Sequence, residues 1–219
     1  MARLRQKPAQ KGSQKWLQRA VAQAPEILQP PGLPPLRWLS PLETDGFAEY
    51  GDAAFLQRLG LERLAPALAA FWPRGGPVWD GLACADDAVV LVEAKGHLHE
   101  ALSSPCAARD PASRARIAAG LAAARAGLGG DEVSDWMAVF YQFANRLAHL
   151  WWLNEQGIEA HLLLVGFTGD DTVRAPTSAE GWRAMHLAML HALGLPEAHP
   201  LHRRVHHLHP DVSVLRDPA

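Results

Sequence analysis

A chain of 219 residues, 48% hydrophobic and with a formal net charge of −2, is long enough for one sizeable core and has no global bias toward nucleic acid or membrane. No apolar stretch approaches the length of a membrane span, and the N-terminus lacks the uninterrupted apolar segment of a secretory signal, so no membrane association and a cytoplasmic location are expected. Cys84 and Cys106 are the only cysteines and show no C-x-x-C spacing. That argues against a disulfide framework and a thiolate zinc site and leaves two reduced thiols.

The charge is unevenly spread. Arg3, Arg5, Lys7, Lys11, Lys15 and Arg19 all precede the first acidic residue, Glu26. Such a basic end either lies on phosphates or is a solvated tail. Residues 12–24 have Trp16, Leu17, Ala20, Val21 and Ala24 at helical spacing behind Ser13, a candidate cap. Five prolines between Pro30 and Pro41 then rule out a helix or a central strand. Residues 1–41 therefore read as a basic helical arm with a proline-rich linker, and 42–219 as one α/β domain. A free N-terminal helix would allow a homodimer.

Helices are expected over 46–59 and 61–72, the second kinked or delayed by Pro66. Residues 78–85 (VWDGLACA) and 88–95 (AVVLVEAK) read as two strands joined at Asp86 and Asp87 in a hairpin. The second is apolar on both faces, which marks a central strand covered by helices on both sides. Further helices are expected over 111–128, 131–156 and 178–194, the middle one carrying Trp136, Trp151 and Trp152 into a core. Strands are expected over 159–167 and around Val205. This order implies an α/β layered fold with a central mixed β-sheet flanked by helices.

The residues that carry chemistry sit at the end of the apolar strand. Glu93 and Lys95 are two apart, so both side chains leave the sheet on one face and can address one object. They either mark where the strand leaves the core, as a surface ion pair, or form a functional pair. The apolar character of both strand faces favours the second. Asp80, on the preceding strand, is either the turn residue of an Asp-Gly hairpin or an acid facing Glu93. Two carboxylates at close range repel unless a proton or a hard cation such as magnesium lies between them.

An aspartate, about a dozen residues, then Glu-x-Lys on a buried strand resembles the PD-(D/E)XK nuclease superfamily, the restriction-endonuclease-like fold. The resemblance spans roughly residues 45–167 and departs from the family pattern at Trp79, where a proline is usual. It implies that Asp80, Glu93 and Lys95 are catalytic and that Asp80 and Glu93 bind Mg2+, with Mn2+ as a substitute. It also implies that a glutamate on a helix ahead of the first strand joins the metal site; Glu49 is the candidate, Asp52 a weaker one. Gln142 or Asn145 would brace the site. The implied activity is phosphodiester hydrolysis in nucleic acid, DNA in the first place. The alternative is a nuclease-fold module that binds nucleic acid or a protein without cutting.

Seven of the eleven histidines lie between His186 and His209. Without cysteines nearby, His202, Arg203, Arg204, His206, His207 and His209 read as a polar, partly cationic surface rather than a zinc site. His97 and His99 continue the parity of Glu93 and Lys95, with capping or surface roles or contact with a phosphate as the alternatives.

Overall fold

The structure, a computed structural model, describes residues 2–173 and 175–215. Its centre is a mixed five-stranded sheet in the order β2 (Arg37–Ser40), β5 (Gly81–Ala85), β6 (Ala88–Lys95), β7 (Ala160–Gly166) and β8 (Val205–Leu208). β2, β5 and β6 are antiparallel in succession, while β6, β7 and β8 run parallel. A second, antiparallel sheet joins β1 (Ala2–Leu4), β3 (Glu49–Gly51) and β4 (Val78–Trp79). Among the described residues no helix is long and apolar enough to cross a membrane.

Strand alternation divides the core in two. Leu82, Cys84, Val89, Leu91 and Leu162 point to the face covered by α2 (Asp52–Arg58), α3 (Ala65–Phe71), α5 (Pro111–Gly127), α6 (Tyr141–Glu155) and α7 (Ala179–Ala192). Ala83, Val90, Val92, Ala94, Leu163 and Val165 point to the opposite face, covered by α1 (Gly12–Gln23) and a terminal 3-10 turn. A short helix, α4 (Leu98–Ala101), follows β6. The expectation of a two-faced apolar centre is met: β6 is buried from Ala88 to Ala94. By the same parity, Glu93 and Lys95 continue the row of Val89 and Leu91 and face α6.

Several boundaries differ from those expected. The stretch 46–51 is not helical: Glu49–Gly51 form β3, and α2 begins at Asp52. Tight packing explains the glycine there, since a Cβ on Gly51 would lie 2.9 Å from the Pro77 carbonyl oxygen. The strand expected over 78–85 divides at Asp80, with Val78–Trp79 pairing in the small sheet and Gly81–Ala85 in the large one. The helix expected from 131 starts only at Tyr141. Asp131 accepts from the amides of Val133 and Ser134, and Asp135 from that of Met137, so side chains take amides that a helix would need at its start. Trp136 is buried ahead of α6, its indole donating to the Leu193 carbonyl. Residues 1–41 contribute β1 to the small sheet, β2 to the edge of the large one, and α1, whose Trp16, Leu17 and Ala20 are buried against β6 and its neighbours. Cys84 and Cys106 are free and buried.

Two helices carry side-chain caps that were not anticipated. Asp110 accepts from the Ser113 amide at the start of α5, and Ser178 from the Gly181 amide at the start of α7. Ser13 makes no such cap on α1.

Candidate active site

The break between the two sheets creates the site. On the β5 side of β6 the ladder ends at the Gly81–Val92 pair. The next amide facing that side, of Ala94, donates instead to Asp80 Oδ2 at 2.8 Å. Asp80 is thus held at the end of β6 by the backbone between Glu93 and Lys95, as a half-buried acid beside Glu93 rather than a solvated turn residue.

Glu93 is 5% exposed, and both its oxygens are engaged. Lys95 Nζ donates to Oε1 at 2.6 Å, and Arg146 Nε, from α6, to Oε2 at 2.6 Å. Arg146 also donates to the Val78 carbonyl at 2.9 Å and to Asn145 Oδ1 at 2.8 Å, and its guanidinium lies 4.9 Å from the Trp79 ring centroid. One arginine therefore ties α6 to β6 and to the strand just ahead of Asp80. Trp79 is fully buried against Phe55, His149 and this guanidinium.

The two acids respond to burial in opposite directions. Burial alone would raise Glu93, but Arg146 and then Lys95 outweigh it and hold the carboxyl below its usual range. Asp80 is lifted to about 8, first by burial and then by the charge of Glu93, with Lys95 and the Ala94 amide only partly offsetting them. Glu49 also rises, through burial, although Gln14 and Gln6 donate to its two oxygens at 2.7 and 3.1 Å; Glu93 adds to the rise. Glu49, Asp80 and Arg146 line one hollow of about 390 Å³ with Asn145 and Gln142.

Placed against the sequence expectations, Asp80, Glu93 and Lys95 come together and Glu49 joins them, from a strand rather than a helix. Gln142 lines the hollow, its amide held by the Ser103 hydroxyl, and Asn145 steadies Arg146. Asp52 does not contribute: it accepts from the amides of Gly75 and Gly76 and faces a different hollow. His97 and His99 lie apart from the acids, His97 3.4 Å from Glu100. The histidine-rich segment is less of a surface than expected. His206 and His207 are half-buried on β8, with His206 Nε2 3.0 Å from His161 Nδ1 and the His207 ring 3.7 Å from that of His186.

Arg146, Gln6 and Gln14 were not singled out from the sequence. A signal existed for the arginine: it is the only Lys, Arg, Asp or Glu between Tyr141 and Asn154, in a helix apolar almost all round. A charge in such a setting requires a buried partner. No comparable signal marks Gln6 or Gln14. Compared with known protein families, curated proteins and solved structures, the chain matches none.

Proposed function

We propose that this chain is a divalent-cation-dependent nuclease in which Asp80 and Glu93, joined by Glu49, hold the cation and Lys95 serves the attacking water. The observation that carries the reading is the attachment of Asp80 to the backbone of the Glu93-x-Lys95 segment, which packs two acids and a lysine together around the buried Glu93. A carboxylate lifted to about 8 by burial and by a second carboxylate is a group that a cation would relieve.

The residues fit a hard ion. All three side chains offer carboxylate oxygens, the donors that Mg2+ and Mn2+ take, and each Glu93 oxygen keeps a free lone pair beside its hydrogen bond. Among the described residues no group of three His, Cys, Asp or Glu side chains stands ready to hold a metal, so Glu49 would close in on the ion. The Ala94 carbonyl is a further candidate donor. When bound, the cation would supply charge stabilisation for the phosphoryl oxygens.

The remaining work falls to the chain. Lys95, half-buried and 2.6 Å from Glu93, orients water and offsets charge on the phosphate. Water adds to phosphorus, the bond to the leaving oxygen breaks, and that oxygen takes up a proton. Exposed Arg5 and Lys7 flank Gln6, whose amide holds Glu49, so the basic N-terminal segment borders the acids and suits a polyanionic substrate, DNA in the first place. Incubating the protein with DNA and RNA in Mg2+ or Mn2+ tests this. Cleavage should fall by at least about 10²-fold in Lys95→Ala and in Asp80→Asn; cleavage unchanged in both refutes the assignment.

One observation favours a second reading. Glu93 is already neutralised by two cations, as it would be in a fold kept for binding alone. A non-cutting module would show no divalent-ion binding that depends on Asp80, and calorimetric titration with Mg2+ separates the two.

A further inference from the structure

The hollow that Asp52 faces takes no part in the proposed chemistry: none of Glu49, Asp80, Glu93 and Lys95 lines it. Its volume is about 360 Å³, within the roughly 300–1,000 Å³ of small-molecule sites. Four helices converge on it, with Phe55 from α2, Leu68 from α3, Arg116 from α5 and His149 from α6, and Trp72 adds a further wall. Phe55, Leu68 and Trp72 are buried, so the interior is aromatic and apolar.

One polar group stands in that apolar wall. His149 is 1% exposed, and its Nδ1 lies 2.8 Å from the Asn145 carbonyl oxygen. A carbonyl only accepts, so Nδ1 carries the hydrogen and Nε2 is a bare acceptor. Nε2 has no hydrogen-bond partner among the described residues. Burial pushes the ring down to about 3, so it is neutral at pH 7. Trp72 and Phe55 stand edge-on to the imidazole, with centroids 4.8 and 6.5 Å away, and fix its orientation. A buried acceptor without a donor is costly, and a ligand N–H or O–H would satisfy it.

The rim differs from the interior. Exposed Arg74 and Arg116 reach it from separate elements. Arg116 donates from Nη1 to the Ala69 carbonyl and keeps its other N–H groups. The one carboxylate there, Asp52, accepts at Oδ1 from the amides of Gly75 and Gly76. Two guanidiniums against one engaged carboxylate leave the rim cationic.

We propose that this cavity binds a small aromatic carboxylate whose ring carries an N–H or O–H donor. The ring lies among Phe55, Leu68 and Trp72, the donor meets Nε2 of His149, and the carboxylate pairs with Arg74 and Arg116. Each part of the cavity selects one part of the ligand. A wholly apolar molecule would leave Nε2 unpaired, and a cation would meet two guanidiniums, whose planar forks suit a carboxylate. The site does not depend on the nuclease reading, because the acids and Lys95 lie outside it.

Ligand-observed NMR with the full chain provides the test. The probe is 4-hydroxyphenylacetate, with phenylacetate as the control that lacks the donor and 4-hydroxyphenethyl alcohol as the control that lacks the charge. The probe should bind about 10-fold more tightly than phenylacetate and about 3-fold more tightly than the alcohol. His149→Phe, which keeps a ring and removes its nitrogens, should bring the first ratio close to one. Arg74→Gln with Arg116→Gln, both at exposed positions, should do the same to the second ratio and leave the first in place. Ala69→Trp, which fills the space from an exposed position, should abolish binding of all three while thermal unfolding confirms a folded protein. The first ratio should hold from pH 8 to pH 5, because His149 stays neutral throughout. No saturable binding of the probe, equal affinity for probe and controls, or wild-type binding in the folded arginine and Ala69→Trp variants overturns the proposal, as does an unchanged first ratio in folded His149→Phe.

Discussion

Two groups of buried and half-buried titratable side chains lie along the large sheet, and they meet the cost of burial differently. At the end of β6 Glu93 keeps its charge by pairing with Lys95 and Arg146, while Asp80, held against the same segment by the Ala94 amide, is driven toward its neutral form. On β7, β8 and α7 the groups His161, His186, His206 and His207 are all bases, with one exposed carboxylate, Glu159, 3.7 Å from His161. Burial is the first cause that pushes His186 and His206 to about 4 and His207 to about 3, so these imidazoles are neutral in the fold at pH 7. One region stores electrostatic conflict that a cation would resolve. The other discards its charge and offers hydrogen-bonding edges instead.

The sharpest way to break this contrast is to remove the charge that balances Glu93. Arg146→Met should destabilise the fold by roughly 3–5 kcal/mol in urea titration, since it leaves a buried carboxylate short of a partner and the Val78 carbonyl unpaired. The double variant with Glu93→Gln should recover part of that loss. If Arg146→Met alone is neutral, the pairing is not what holds α6 to β6.

Asp80→Asn acts in the opposite direction on the unliganded protein. Asp80 titrates near 8 in the fold, above the ordinary carboxylate value, so its contribution is fully present in acid and lost as pH rises toward and through 8. The amide keeps an acceptor for the Ala94 amide and carries no charge. Stability at pH 9 should therefore rise by roughly 1–3 kcal/mol while Asp80-dependent cation binding disappears. Cation affinity in the unaltered protein should strengthen with pH up to about 8, because binding displaces the Asp80 proton.

The histidine region has the reverse pH dependence. Its folded values lie below the unfolded imidazole value, so its contribution is present above about pH 6.5 and is lost as pH falls toward 4 and 3. His207→Phe should reduce the stability lost between pH 7 and pH 5 by about 1–2 kcal/mol, read from urea midpoints at the two values. An unchanged acid limb would show that His207 is not buried neutral. Smallest of all, Gln14→Ala should cost about 0.5–1.5 kcal/mol by leaving one oxygen of Glu49 without its donor, with a further rise in the Glu49 pKa observable by NMR titration.

Much of the fold was legible because periodicity reports burial directly. Residues 88–95 announced a strand covered on both faces, and the period of two put Glu93 and Lys95 on one side of it. The division of 78–85 was not legible, since Val78–Trp79 and Gly81–Ala85 differ only in which sheet pairs with them. Nor was the loss of helix over 131–140, where Asp131 and Asp135 compete for amides that a helical pattern assigns to the backbone. Glu49 was picked out for the right neighbourhood on the wrong element: its strand exists because β1 and β4, distant in sequence, lie on either side of it.

By itself the sequence determined which strand is central, which side chains share its face, and that a lysine and an acid end that strand inside an apolar setting. These are consequences of local chain geometry and of the cost of exposing apolar surface. Only the tertiary structure decided that Arg146 from a distant helix balances Glu93, that Asp80 closes the ladder at Ala94, and that histidines far apart in sequence line one cavity beside Lys95. Those contacts join elements brought together by packing, and no spacing along the chain encodes them.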